Sequence, residues 1–232
     1  MAEGVRLVEE AVAAGIPIRG VITSESFRPT GRNGRLLQEL AAHAVEVEEV
    51  SDRVFATLAD TDTPQGILAV VEPPTRTIDD IVPAPGAPVL VLDAVQDPGN
   101  VGTLLRTAFA LGAGGAILLK GTADPLNAKV MRASMGAAFR LPFAQADEAA
   151  FRAWSEKHRP AIWAAAMEGT LVTRLAPPAN LALIVGSEGA GIRPEVAALA
   201  SARVSIPLAR GAESLNVSVA AGIILHEIQR GR

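Results

Sequence analysis

The chain contains no cysteine and no tyrosine, and aromatic residues make up only 3% of its 232 residues. Without thiols there is no disulfide, no thiolate metal site and no cysteine nucleophile. With so few rings, a sheet of stacking platforms of the kind that grips single-stranded nucleic acid is not expected. The three histidines, His43, His158 and His226, lie far apart and lack metal-ligand spacing, so no metal is expected. No apolar run reaches the roughly 18 residues of a membrane span. The opening MAEGVRLVEE is acidic where a secretory signal would be basic. These absences predict a cytoplasmic protein with no membrane partner.

Positive charge is scarce too. Residues 1–75 hold 6 arginines against 12 acidic residues, residues 76–232 hold 15 basic against 13 acidic, and the chain carries −4 overall. Phosphate backbones are normally met by a basic surface, so any attraction for nucleic acid must be local.

What is present is an ordinary globular composition, 49% hydrophobic and 20% charged. A proline-rich stretch, Glu72 to Pro88, separates two segments that each alternate strand-like and helix-like patterns. This predicts a small α/β unit over residues 1–75, a linker over 76–87 and a larger unit over 88–232. In the first unit the pattern predicts helices at Val5 to Ala14 and near Leu36 to His43, with strands at Gly20 to Thr23 and Ile67 to Val71. In the second, strands are expected at Pro88 to Val95, Gly115 to Lys120, Ala161 to Met167 and Leu181 to Val185. Helices are expected at Val101 to Leu111, Asn127 to Phe139, Asp147 to His158 and Leu215 to Gln229. Short apolar strands alternating with helices indicate an α/β fold whose mainly parallel sheet is buried on both faces.

Parallel sheets place ligand sites beyond the carboxyl ends of their strands. Three such loops stand out. In DPGNVGTLLRTA (Asp97 to Ala108) a tight turn leads into a helix that Asn100 could cap, and Arg106 follows within it. In IVGSEGAGI (Ile184 to Ile192) glycines let backbone approach a ligand closely. This loop is neither a P-loop nor a dinucleotide fingerprint nor a hydrolase elbow. Glu188 follows its apolar strand directly, where an unpaired carboxylate would be costly unless hydrogen-bonded or functional. In IPLARGAESLNVSVAAGI (Ile206 to Ile223) a strand end and a loop lead into a helix with Ser214 as the expected N-cap and polar Asn216 in the same turn. Taken singly, each segment also fits a bland reading as a capped helix or a surface turn.

Together, in order and separation, they resemble the three signature motifs of the SpoU/TrmH branch of the SPOUT methyltransferases. N-x-G-x-x-x-R appears as Asn100 to Arg106, G-x-E-G as Gly186 to Gly189, and S-L-N-V-S as Ser214 to Ser218. The first unit resembles the small substrate-binding domain that precedes this catalytic domain in ribosomal RNA enzymes.

The resemblance implies a deep trefoil knot, an exception to the rule against threaded chains. It also implies a homodimer and S-adenosylmethionine held by backbone around Val185, Gly186, Ile206, Leu208, Leu215 and Asn216. The implied reaction is attack of a ribose 2′-oxygen of RNA, most of all ribosomal RNA, on the cofactor's methyl group. Arg106 would lead the catalysis, helped by Asn100, Glu188, Ser214 and Asn216. A guanidinium is a poor literal base, so a composite role is expected for Arg106: clamping a neighbouring phosphate and lowering the hydroxyl's pKa electrostatically. Relatives' substrate domains usually open with a basic helix and a strand ending F-L-x-E-G, whereas this chain starts Met1-Ala2-Glu3-Gly4. A trimmed domain or an upstream start is therefore expected. The alternatives are a transfer-RNA 2′-O-methyltransferase, a non-catalytic RNA-binding protein that keeps the fold, and a nucleotide enzyme on a doubly wound sheet. A role in antibiotic resistance through ribosome modification also fits.

Overall fold

A computed structural model describes residues 1–231. The first unit runs β1 (Ala2–Glu3), α1 (Val5–Ala13), β2 (Ile18–Ser24), α2 (Gly31–Ala42), β3 (Val47–Val50), α3 (Asp52–Leu58) and β4 (Ile67–Val71). Its sheet has the order β1-β4-β2-β3, with β2 and β3 parallel and the other pairs antiparallel. The Met1 to Gly4 start is part of this sheet, because Ala2 pairs with Ala69 and Glu3 with Leu68. Gln65 secures the next step: its side-chain Oε1 accepts the Val5 amide at 2.9 Å, satisfying a free N–H in the first turn of α1.

The second unit comprises β5 (Val89–Asp93), α4 (Pro98–Ala110), β6 (Gly115–Leu119), α5 (Ala128–Ser134), α6 (Ala137–Arg140), β7 (Phe143–Ala146), α7 (Glu148–His158), β8 (Ala161–Leu171), β9 (Leu181–Gly186), α8 (Pro194–Ala197), β10 (Ala202–Ser205) and α9 (Val217–Arg230). All its strand pairs are parallel, in the order β10-β8-β9-β5-β6-β7. The central strands VLVLD and LALIV are fully buried, as continuous apolar runs in a two-sided sheet should be. One face carries Leu90, Leu92, Leu118 and Leu183 into a core shared with α4, α9 and the first unit. The other carries Val89, Val91, Ile117 and Ile184 against Phe151 and Trp154 of α7.

Several expectations need correction. The helix expected over Asn127 to Phe139 is broken, because Met135 and Gly136 both take left-handed backbone, with φ of 51° and 86°. β8 continues to Leu171 rather than stopping at Met167. The last helix starts at Val217, not Leu215, and its cap is Asn216, whose Oδ1 accepts the Ser218 amide at 2.9 Å. Ser214 is not the cap. Asn100 does not cap α4 either: Asp97 does, accepting the Asn100 amide at 2.8 Å. In each case the residue immediately before the first helical position takes amides two or three residues ahead. The proline-rich stretch is held down as well. It forms a turn at Ile78–Asp80, and buried Ile81 accepts Trp154 Nε1–H at 2.7 Å.

Candidate active site

β5 and β9 lie side by side at the middle of the sheet, with Asp93 opposite Gly186, so the loops that leave them start together. Beyond their carboxyl ends lies a cavity of about 330 Å³. Val185, Gly186, Ile206, Leu208 and Leu215, all expected to hold a cofactor, line it, and so do Glu188 and Ser214. Its floor is apolar, formed partly by Ala220 and Ile224 of α9. One wall is backbone. Gly186 is pressed against the returning loop so closely that a Cβ there would lie 2.2 Å from the carbonyl carbon of Gly191. Ser187 and Gly191 exchange both backbone hydrogen bonds, at 3.1 and 2.9 Å, which closes the loop.

A side-chain network joins the cavity wall at Glu188; Asn216, also expected to hold the cofactor, belongs to this network and does not itself line the cavity. Asn100 donates through Nδ2 to the Glu188 carboxylate. Its Oδ1 accepts from Asn216 Nδ2 at 2.9 Å and from Ser218 Oγ at 3.4 Å, while its backbone carbonyl accepts Ser218 Oγ at 3.1 Å. Asn216 is in turn fixed by its capping bond to α9. Three segments separated by more than a hundred residues end to end thus meet at one amide, and both ends of that amide are used. Glu188 is exposed rather than buried, so its hydrogen bond and not desolvation defines its setting.

Arg106 stands apart. It is exposed on α4, it does not line the cavity, and no hydrogen bond or ion pair holds it among the described residues. Ser214 lines the cavity without joining the network.

Two contributors escaped the sequence reading. Ser218 closes the third motif but was given no role from the sequence; it is buried and orients Asn100. Asp93, fully buried at the end of β5, accepts the Arg193 amide at 2.7 Å and Arg193 Nε–H at 2.8 Å. That hydrogen bond, reinforced by charge, holds the Arg193 guanidinium above the ordinary arginine range. The pair pins the far end of the glycine loop to the neighbouring strand. An acidic residue ending an otherwise apolar strand, VLVLD, was the available signal.

A parallel sheet with a glycine-walled cavity at the carboxyl ends of its strands defines a class of fold built to hold a small cofactor there. Residues 87–226 match the model of the SpoU rRNA Methylase family, and residues 1–77 match the model described as RNA 2'-O ribose methyltransferase substrate binding; the chain belongs to this family. It is 31% identical over 228 residues to the 23S rRNA (guanosine(2553)-2'-O)-methyltransferase RlmP of Bacillus subtilis, covering 98% of this chain and 87% of that protein. The AdoMet-bound rRNA methyltransferase from Sinorhizobium meliloti matches with a TM-score of 0.87 and 34% identity, over 99% of this chain and 86% of that one. The SpoU methyltransferase AviRb from Streptomyces viridochromogenes, in complex with AdoMet, matches with a TM-score of 0.87 and 29% identity, over 98% of this chain and 88% of that one.

Proposed function

We propose that this protein transfers the methyl group of S-adenosylmethionine to a ribose 2′-hydroxyl of RNA, and that the RNA is ribosomal. The observation that carries this reading is the meeting of Asn100, Glu188 and Asn216 in one network that reaches the glycine-walled cavity through Glu188. The cavity suits the cofactor. Its volume falls at the lower end of the ~300–1,000 Å³ usual for small-molecule sites. Its backbone wall at Gly186 offers N–H and C=O groups to a purine edge, and Leu208, Leu215 and Ile206 offer apolar surface to its faces. When bound, the cofactor supplies the sulfonium-activated methyl group that the ribose oxygen attacks.

The chain's own residues have the remaining work. Asn100, held at both ends, presents a fixed dipole beside the reaction centre, with Glu188 and Asn216 setting its orientation. Ser214, on the cavity wall, is within the same rim and serves as a hydrogen-bonding group toward substrate or cofactor. Arg106 has no partner among the described residues and is available to an RNA phosphate, where its charge favours ionisation of the adjacent 2′-hydroxyl. The substrate unit is assigned to residues 1–75, the connection to 76–87 and the knotted catalytic domain to 88–232. The protein acts as a homodimer, which is supported by exposed Phe109 on α4 and Val219 and Ile223 on α9, two helices that pack together. Arg106 lies one turn from Phe109, near the proposed subunit seam.

The substrate-domain match over residues 1–77 favours ribosomal over transfer RNA. An intact Asn100, Glu188 and Asn216 network disfavours a binding-only role, which has no need of it. Calorimetry with S-adenosylmethionine and methylation of ribosomal RNA test the reading together. Wild type should bind the cofactor saturably and methylate; Arg106→Ala should bind nearly as well and lose turnover by at least about a hundredfold. Near wild-type methylation by that variant would overturn the assignment of Arg106.

A further inference from the structure

The two units meet at a corner whose contacts reach from the substrate side to the helix bearing Asn100 and Arg106. Arg132 on α5 donates through Nη2 to Asp60 at 2.6 Å and through Nη1 to Glu3 at 3.4 Å. Glu3 is only 8% exposed, and its carboxylate also accepts the Asp60 amide at 3.0 Å and the Thr61 hydroxyl. Arg140 on α6 donates to Glu10 of α1 from Nε and Nη2, at 3.2 and 3.0 Å. Between these pairs, Gly136 approaches α1 so closely that a Cβ would lie 2.5 Å from Glu10 Cβ. On the opposite side of the corner Gly102 of α4 makes an equally close approach: a Cβ there would lie 2.5 Å from the Val130 carbonyl and 2.6 Å from Ala133 Cβ. Gly102 falls between Asn100 and Arg106 in the chain.

We infer that the α5–α6 corner is a strut that fixes the substrate unit relative to the catalytic helix, with Arg132 as a positioning residue that makes the enzyme selective for folded RNA. The inference rests on the proposed RNA methylation. Close glycine contacts on both sides of the corner, to the Glu10 side chain at Gly136 and to α5 backbone at Gly102, leave little room for rocking, and the arginine pairs tie down its edges. The separation between the surface of residues 1–77 and the cavity is then set by the protein. An RNA that reaches both at that separation gains from both; a short fragment occupying only the cavity gains nothing from the strut.

The test compares two probes: deproteinised large-subunit ribosomal RNA from a strain lacking the gene, and a short oligonucleotide carrying the methylated position. Arg132→Ala should lower kcat/KM on the long RNA by between about ten- and a hundredfold, mostly through KM. It should leave the oligonucleotide rate and cofactor affinity within about twofold. Arg132→Lys should restore part of the loss. Gly136→Ala, which wedges the seam instead of loosening it, should show the same selective loss. Equal effects on both probes, or none on either, in variants that still bind cofactor would overturn the strut while leaving the methyltransferase reading intact. If wild type methylates neither probe, the functional reading falls and this inference with it. Hydrogen exchange over residues 5–13 and 128–140 reads the seam independently: protection that is unchanged in Arg132→Ala would overturn the strut whatever the activity.

Discussion

Gly186→Ala isolates the glycine wall of the cavity. The added Cβ would lie 2.2 and 2.3 Å from the carbonyl carbon and oxygen of Gly191 and 2.4 Å from the Ile192 nitrogen, all of them backbone. Ordinary contact needs more than ~3.4 Å between carbons, so the loop must retreat by about 1 Å. It cannot slide away freely. One end is in register with β5, and the other is pinned where the Arg193 amide and guanidinium bind Asp93. Overpacking of this kind costs about 1–3 kcal/mol. Breaking the paired Ser187 and Gly191 hydrogen bonds adds about 1 kcal/mol each. The same backbone forms the cofactor wall, so affinity for S-adenosylmethionine should fall between about ten- and a hundredfold, at about 1.4 kcal/mol per decade. Calorimetric titration measures this, and chemical denaturation of the same variant reads the accompanying loss of stability. Gly186→Ala binding the cofactor within twofold of wild type, at unchanged Tm, would refute the argument.

Asp93→Ala removes the acceptor of the Arg193 amide and Nε–H bonds and should destabilise by about 1–3 kcal/mol, since the arginine left behind is partly exposed; chemical denaturation reads it, and a loss below about 0.5 kcal/mol would show that the loop is anchored elsewhere. Ser218→Ala removes the hydroxyl that orients Asn100 and should cost about 1 kcal/mol, seen as a roughly fivefold fall in kcat with cofactor affinity unchanged. Equal loss in kcat and in cofactor affinity would place Ser218 in folding alone. Ile223→Glu puts a charge in the exposed apolar strip with Phe109 and Val219. Sedimentation at micromolar concentration should then shift from dimer to monomer, and a monomeric wild type would end the dimer reading.

Regular patterns were the legible part of this chain. Val89 to Leu92 and Leu181 to Val185 are apolar runs short enough to be strands and are bounded by turns, so the central sheet and its two-sided burial followed directly. β3 and β7 did not stand out. Their sequences, VEEV and FAQA, are only four residues long and lack clean alternation, and tertiary pairing rather than local pattern makes them strands. The break after Ser134 was hidden for a related reason. Met135 is an unremarkable helix former, yet it and Gly136 take left-handed backbone where Gly136 packs against Glu10 of α1. At the site, Glu188 after an apolar strand and Asn216 at a helix start, chemistry-bearing residue types in odd places, share one network through Asn100. Which oxygen caps which helix was not legible, because Ser214 and Asn216 are equally good caps by type and differ only in where the backbone enters α9.

Asn100 explains why three distant segments had to be read together. Its own loop supplies no partner for its side chain: Asp97 binds its backbone amide, and the side-chain amide looks outward from the first turn of α4. The partners come from β9 through Glu188 and from α9 through Asn216 and Ser218. β9 delivers Glu188 because it is the strand next to β5, and α9 delivers the other two because it packs along α4. Moving either neighbour would leave one end of the amide unpaired and the dipole free to turn. Arg106 shares that helix but none of those partners. Its charge has no partner among the described residues, which leaves it free for the phosphate contact proposed above, the local attraction that a chain of net charge −4 needs.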